Sequence, residues 1–75
     1  MQLIDGEINR VYLVKTLSLS ASLRRRLEAL GMTGDAPIEI IHKKRNGTMV
    51  IVLRGTRFAI GRGIANRLTV EEVKE

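Results

Sequence analysis

From Glu7 to Thr16 the chain reads E-I-N-R-V-Y-L-V-K-T, dense in β-branched and large apolar residues, and it follows the turn signal Asp5-Gly6. This run predicts a strand from about Ile8 to Lys15. Successive side chains alternate across a strand, so Val11 and Leu13 share one face and Tyr12 and Val14 the other. Apolar on both sides in its middle, such a strand suits a closed barrel or a packed partner.

After Thr16 the serines at 18, 20 and 22 interrupt the β pattern. Ser20 is placed as an N-cap, whose hydroxyl can accept from an otherwise unpartnered amide of the first helical turn. Leu23, Leu27 and Leu30 then fall at i, i+4 and i+7, one apolar stripe of an amphipathic helix of about three turns, with Arg24, Arg25 and Glu28 away from its centre. Gly31 supplies a left-handed residue after the helix, and Met32 is placed to pack back on Leu27, the Schellman ending.

Thr33 to Pro37 is turn chemistry, with Gly34 available for positive φ and Pro37 tolerable at the start or edge of a strand. Ile38 and Ile40 alternate with Glu39, and this strand reaches Lys44. Arg45-Asn46-Gly47-Thr48 follows, and Asn-Gly between two β runs predicts a type I′ hairpin turn. Met49 to Leu53 returns as a fully buried strand. Arg54 to Arg57 makes a second tight turn, and Phe58-Ala59-Ile60 is a short third strand of the meander. After Gly61-Arg62-Gly63, residues 64–66 fit one 3₁₀ turn, Leu68 to Val70 a last short strand, and Glu71 to Glu75 a frayed tail.

These elements describe a mostly β chain: a small SH3-like barrel of about five strands, with the helix between strands one and two and a 3₁₀ turn before the last strand. A small open sheet with one packed helix is the competing architecture. At 75 residues the whole chain, residues 1–75, makes a single domain. A chain of this size buries only about 60% of its unfolded surface on folding. It has no cysteine, so neither a disulfide nor a thiolate metal site can staple it, and with Tyr12 and Phe58 its only aromatic residues the core is aliphatic. The start lacks a signal-peptide pattern and the apolar run Met49 to Leu53 is far short of the ~20 residues of a spanning helix, which predicts a cytosolic protein.

A formal charge of +5 favours acidic partners, nucleic acid or anionic surfaces without choosing among them. The basic residues are dispersed except at Arg24 to Arg26 and Lys43 to Arg45. His42 is the sole histidine, so no His-His or Cys-His constellation exists for zinc, iron or a catalytic dyad. On its strand it shares the face of Ile38 and Ile40, which reads as a partly buried or rim histidine. No two acids are committed by spacing to acid/base work. Glu71, Glu72 and Glu75 could together hold a divalent cation weakly, though a solvated tail explains them as well. Gly61-x-Gly63 lacks the third glycine and the βαβ unit of a dinucleotide fingerprint. Single-strand nucleic-acid readers stack bases on aromatic side chains, and this chain offers almost none, so phosphate contacts alone would have to carry that reading.

The stretch R-L-E-A-L-G-M-T-G (Arg26 to Gly34), then Ile38 and Ile40, the hairpin Gly47, the buried strand to Leu53, Gly55, Phe58-Ala59-Ile60 and Ile64-Ala65 resembles the FeoA family of ferrous iron transport A proteins. The opening L-I-D-G-E is similar too, so the likeness spans nearly the whole chain. Met49 stands where many members carry proline, and Gly61 and Gly63 replace residues that are often larger and charged. The resemblance implies a small cytosolic SH3-like domain with an accessory role, and the residues themselves offer no catalytic site and no site for a resident cofactor. Its implied partner is the membrane ferrous iron transporter FeoB, met on the cytosolic side where the GTP-binding domain lies, so the chain would be peripheral to the inner membrane through that partner. It would modulate FeoB assembly or its GTPase and transport activity, and transition-metal binding is a family-level association only. The candidate contact residues are Arg24, Arg25, Glu28 and Met32 on and after the helix, Lys43, Lys44 and Arg45 on the basic hairpin, and Arg57 and Arg62, read as turn residues able to reach a GTP site. A basic SH3-like barrel that binds RNA or DNA is the alternative, as is a direct metal-binding regulator.

Overall fold

The computed structural model describes residues 1–73. A 3₁₀ turn, Leu3–Asp5, opens the chain. It is followed by β1 (Val11–Leu17), α1 (Ala21–Ala29), β2 (Pro37–Lys43), β3 (Met49–Leu53), β4 (Thr56–Ile60), the single turn α2 (Arg62–Ala65) and β5 (Leu68–Glu72). The five strands form one antiparallel sheet in the order β4-β3-β2-β1-β5. The fold is thus the mostly β, SH3-like arrangement expected, but the sheet stays open between β4 and β5. The edge of β5 is covered by the start of the chain: Gln2 bridges to Thr69 and the Val70 amide donates to the Met1 carbonyl at 2.8 Å. The 3₁₀ turn packs on β5 and α2 and so spans part of the gap.

One face of the sheet is the core. Tyr12 and Val14, Ile38 and Ile40, Met49, Ile51 and Leu53, and Leu68 and Val70 are all buried there, with Leu27 and Met32 closing over them from the helix side. Alternation in β3 is strict, with Val50 and Val52 half-exposed on the other face, so the strand read as fully buried is buried on one side only.

Helix α1 begins and ends as its sequence dictates. Ser20 Oγ accepts from the Leu23 amide at 3.2 Å. At the other end the Met32 amide donates to the Leu27 carbonyl and the Gly31 amide to that of Glu28, both at 3.0 Å, with Gly31 at φ +104°. These are the paired bonds of a Schellman ending, and they satisfy carbonyls the helix leaves over.

Elsewhere local geometry departs from expectation. The first strand starts at Val11, not Ile8, because Ile8 and Asn9 form a turn with Asn9 at φ +68°. In the turn from Thr33 to Pro37, positive φ falls on Asp35 (φ +62°) and not on Gly34. The two hairpin turns exchange roles. At Lys44–Thr48 only Gly47 has positive φ (+92°); the Gly47 amide donates to the Lys44 carbonyl and the Lys44 amide to that of Thr48, a type I turn closed by a glycine bulge rather than type I′. The type I′ turn lies between Leu53 and Thr56, with Arg54 at φ +51° and Gly55 at +79°, so β4 already begins at Thr56 and Arg57 sits on a strand rather than in a turn.

A bulge between Ile40 and His42 inserts Ile41, and the extra residue turns His42 to the outer face opposite Val50, where it is exposed. The expected sharing of a face with Ile38 and Ile40 is thereby broken. The 3₁₀ turn expected over residues 64–66 is instead the α-helical turn Arg62–Ala65, begun by the Gly61 carbonyl accepting from Ala65 at 3.0 Å. The segment read as a tail is ordered as far as Val73, since Glu71 and Glu72 pair with Leu13 and Tyr12 in the β1–β5 ladder. Glu75 lies outside the described residues, and with it part of the Glu71, Glu72 and Glu75 cation reading.

Candidate protein-interaction site

Between α1 and the β4 edge lies an apolar groove of about 300 Å³. Its helix wall is Leu23, Leu27 and Leu30, the same stripe that the i, i+4, i+7 spacing marks. Only Leu27 is buried, while Leu30 remains 49% exposed, so the stripe serves the core at its centre and the groove at its rim. The opposite wall is Phe58 and Ile60 of β4 with Ile64 of α2, and Met32 and Leu53 form the floor. The two walls come from segments some thirty residues apart.

The groove walls are held in place by the turns beneath them. The β3–β4 turn reaches the end of α1 through Arg54, whose Nε donates to the Gly31 carbonyl at 3.1 Å. A Cβ on Gly31 would lie 2.5 Å from Arg54 Cδ, so the arginine stem covers the glycine. At the other end of the sheet, Arg62 packs over Gly47 of the β2–β3 turn, 2.7 Å from where a Cβ would stand. This contact brings Arg62 beside the hairpin that carries Lys44 and Arg45.

Charge is divided between the two sides of the molecule. All ion pairs among the described residues lie around β1 and β5. Arg10 bonds Glu72 at 2.6 Å and Glu7 at 2.7 Å, and Lys15 lies 2.5 Å from Asp35 and 3.8 Å from Glu71. The hydrogen bond to Glu72, aided by the Glu7 charge, raises the Arg10 pKa above its ordinary value. The bond to Asp35 likewise raises that of Lys15. Arg24, Arg25 and Arg26 of α1, Arg57 of β4 and Arg62 of α2 have no acidic side chain within ion-pair distance among the described residues, and of these Arg26 lines the groove. Among the described residues the cations of the β2–β3 hairpin, Lys43, Lys44 and Arg45, are likewise outside any ion pair.

The candidate contact residues fare differently. Arg24, Arg25 and Glu28 are exposed along α1, and Arg57 is exposed on β4. Met32 is only 2% exposed and belongs to the groove floor. Lys43, on the inner face beyond the bulge, donates to the carbonyls of Ile4 (3.1 Å) and Gly6 (2.9 Å), closing the 3₁₀ turn. Met32 is the one groove residue among those candidates; the rest of the lining, Arg26, Leu30, Phe58 and Ile64 included, was missed from the sequence. The half-used leucine stripe was the available signal for the first wall; nothing local marks the second.

Other chemistry is sparse. Among the described residues no three His, Asp or Glu side chains gather in a metal-binding arrangement, and no helix is long and apolar enough to cross a membrane. Tyr12 is 1% exposed, its hydroxyl accepting from the Glu7 amide at 2.8 Å, and Phe58 faces the groove, so neither presents a ring as an open stacking platform for bases.

An open SH3-like sheet with one capped helix, and an apolar groove between that helix and the sheet edge, define a small SH3-like domain class. The chain belongs to the FeoA domain family, whose model matches residues 1–72. It is 29% identical over 62 residues to the putative Fe(2+) transport protein A of Methanocaldococcus jannaschii, covering 83% of this chain and 74% of that one. A crystal structure of an iron uptake regulatory protein, FeoA, superimposes with a TM-score of 0.84 at 27% identity over 97% of this chain and 96% of its own. The FeoA of Stenotrophomonas maltophilia, a prokaryotic SH3 domain protein crystallised with zinc, shares the fold with a TM-score of 0.80 at 22% identity, covering 95% of this chain and 89% of that one.

Proposed function

We propose that this chain is a cytosolic accessory protein of ferrous iron transport, which docks on the cytosolic side of the FeoB transporter and modulates its assembly or GTPase cycle. The observation that carries the reading is the groove between α1 and β4, with half-exposed Leu30 on its rim and, in its lining, Arg26, which has no acidic partner among the described residues. Membership of the FeoA family and the Fe(2+) transport relative supply the pathway. An apolar centre surrounded by charge is the composition of a protein interface, in which the buried apolar contact supplies affinity and the rim supplies orientation and encounter rate. Of the arginines, Arg26 lines the groove, while Arg24, Arg25 and Glu28 lie on other faces of the same helix and Arg57 on the opposite face of β4.

The test is retention of the purified chain on membranes containing FeoB, loaded in turn with GDP and with a non-hydrolysable GTP analogue. Retention in at least one state is expected, reduced tenfold or more by Leu30→Glu. Absence of retention in both states would overturn the proposal. Rates of GTP hydrolysis at saturating chain then divide its roles: a rise that Arg57→Ala or Arg62→Ala removes points to direct action on the nucleotide, and no change restricts the chain to assembly.

A further inference from the structure

Antiparallel pairing alternates between residues that bond across to the neighbouring strand and residues whose amide and carbonyl point away from it. Leu53 and Thr56 flank the two-residue turn and bond to each other, which places Arg57 and Ala59 at the outward-pointing positions of β4. Their N–H and C=O groups face the open edge of the sheet, and among the described residues no other segment bonds to them. Both residues are exposed.

The two sheet edges are treated differently. Met1 and Gln2 cover β5, whereas β4 is a short strand with one charge, Arg57, and has no proline, no bulge and no inward-facing charge to turn another strand away. Directly beside this edge runs the groove. A strand added to β4 would send alternate side chains into the groove, against Leu23, Leu30 and Phe58, and the intervening ones to the face of Arg57. Arg26 lines the groove, Arg57 stands on the opposite face of β4 and Arg62 follows the strand's end, so cations without acidic partners among the described residues lie on both faces of the track.

We infer that the β4 edge and the adjoining groove take up an extended acidic segment of a partner protein as an added strand, with aliphatic residues at alternate positions entering the groove and carboxylates between them meeting the arginines. Backbone bonds to Arg57 and Ala59 would fix its register, and the groove its side-chain preference. The proposal rests on the reading of this chain as a docking module and specifies how it docks.

The probe is a blocked nine-residue peptide with Val and Leu at alternate positions and Glu or Asp between them, titrated into the isotopically labelled chain and followed by NMR. Expected are shifts of the Arg57 and Ala59 amides and of the Leu23 and Leu30 methyl groups. Affinity should fall at least tenfold when the edge-facing amides of the peptide are N-methylated, and likewise when its acids are replaced by lysine. Ala59→Pro should also abolish binding, because the amide it removes plays no part in the β3–β4 ladder. If that variant does not fold, the N-methylated peptide tests the same bond on the unaltered chain. Undiminished binding of the N-methylated peptide, or no shifts at millimolar peptide, would overturn the inference. So would a dimer, seen by sedimentation without peptide and removed by Ala59→Pro or Leu30→Glu, since the edge would then belong to a second copy. Retention on FeoB membranes by a chain that ignores the peptide would overturn this mode of docking while leaving the transporter reading in place; failure of both would overturn both.

Discussion

Arg54 Nε donates to the Gly31 carbonyl at 3.1 Å, and this bond joins a residue held at φ +51° to one held at φ +104°. Arg54 occupies a left-handed conformation that costs a non-glycine residue about 1–2 kcal/mol. It is kept there by a two-residue turn that matches strand twist, and in return its side chain meets the carbonyl end of α1, where a cation is favoured. The contact locks the C-terminus of α1 to the β3–β4 turn and so fixes the two walls of the groove relative to each other. Arg54→Ala is expected to lower stability by about 0.5–1.5 kcal/mol through the lost bond. Arg54→Gly should cost less, because glycine relieves the backbone strain while losing the same bond, and urea denaturation of the two variants separates the terms.

Gly31→Ala should be more damaging. It places a Cβ in the left-handed region and 2.5 Å from Arg54 Cδ. A loss of about 1–3 kcal/mol is expected. Because the colliding atom belongs to a flexible side chain, Arg54→Ala in the same molecule should recover part of the loss. A double-mutant cycle with no coupling would show that Arg54 and Gly31 do not act together.

Gly6 and Gly34 form a second contrast. A Cβ at Gly6 would come within 2.5 Å of Ile40 Cδ1 and 3.0 Å of Tyr12 Cε2, both on buried residues, whereas one at Gly34 would meet nothing within 4 Å. Gly6→Ala is expected to cost about 1–3 kcal/mol by overpacking. Gly34→Ala, with neither crowding nor positive φ to oppose it, should stabilise by about 0.4–1 kcal/mol through the unfolded chain. Thermal melts of the pair read the opposite signs directly.

Features written in a few consecutive residues were legible in advance. Ser20, Leu27, Gly31 and Met32 specify both ends of α1, and Gly47 marks a hairpin, since caps and turns satisfy backbone groups locally. What escaped depends on distant segments. Asn46-Gly47 carries the type I′ signature, yet Asn46 keeps ordinary φ and its Oδ1 accepts from the Thr48 amide at 3.0 Å, while the type I′ turn falls on Arg54, which no propensity favours. Glu71 and Glu72 look like a tail until β1, nearly sixty residues earlier, supplies a ladder and Arg10 a charge. The groove was half legible for the same reason: its leucine wall is periodic in sequence, but Phe58 and Ile64 arrive there only through the topology of the sheet.

The cap itself offers a fourth test. Ser20→Ala removes the acceptor of the Leu23 amide and should cost about 0.5–2 kcal/mol. Ser20→Asp should retain stability, because a carboxylate both accepts that bond and complements the positive end of the helix. Since Leu23 is in the first turn of α1 and lines the groove, hydrogen exchange of the first helical amides in Ser20→Ala should quicken before that of β3. Uniform acceleration throughout the chain would instead mean that α1 has no local opening of its own.

Lys15 gives the pH dependence its sign. Its hydrogen bond to Asp35, opposed by desolvation and aided by the charges of Asp35 and Glu71, raises its pKa in the folded chain above the ordinary 10.5. A group whose folded pKa is raised contributes its full stability below the unfolded value, and that contribution disappears as pH climbs through the folded value. The stability difference between the natural chain and Lys15→Gln should therefore be constant from pH 7 to about 9, and shrink once pH passes about 10.5. Both groups are largely solvated, so the difference is small and falls with salt. Denaturant midpoints measured across that range at low and high ionic strength check both trends; a difference that grows with alkaline pH would mean that the lysine is held more weakly in the folded chain than in the unfolded one.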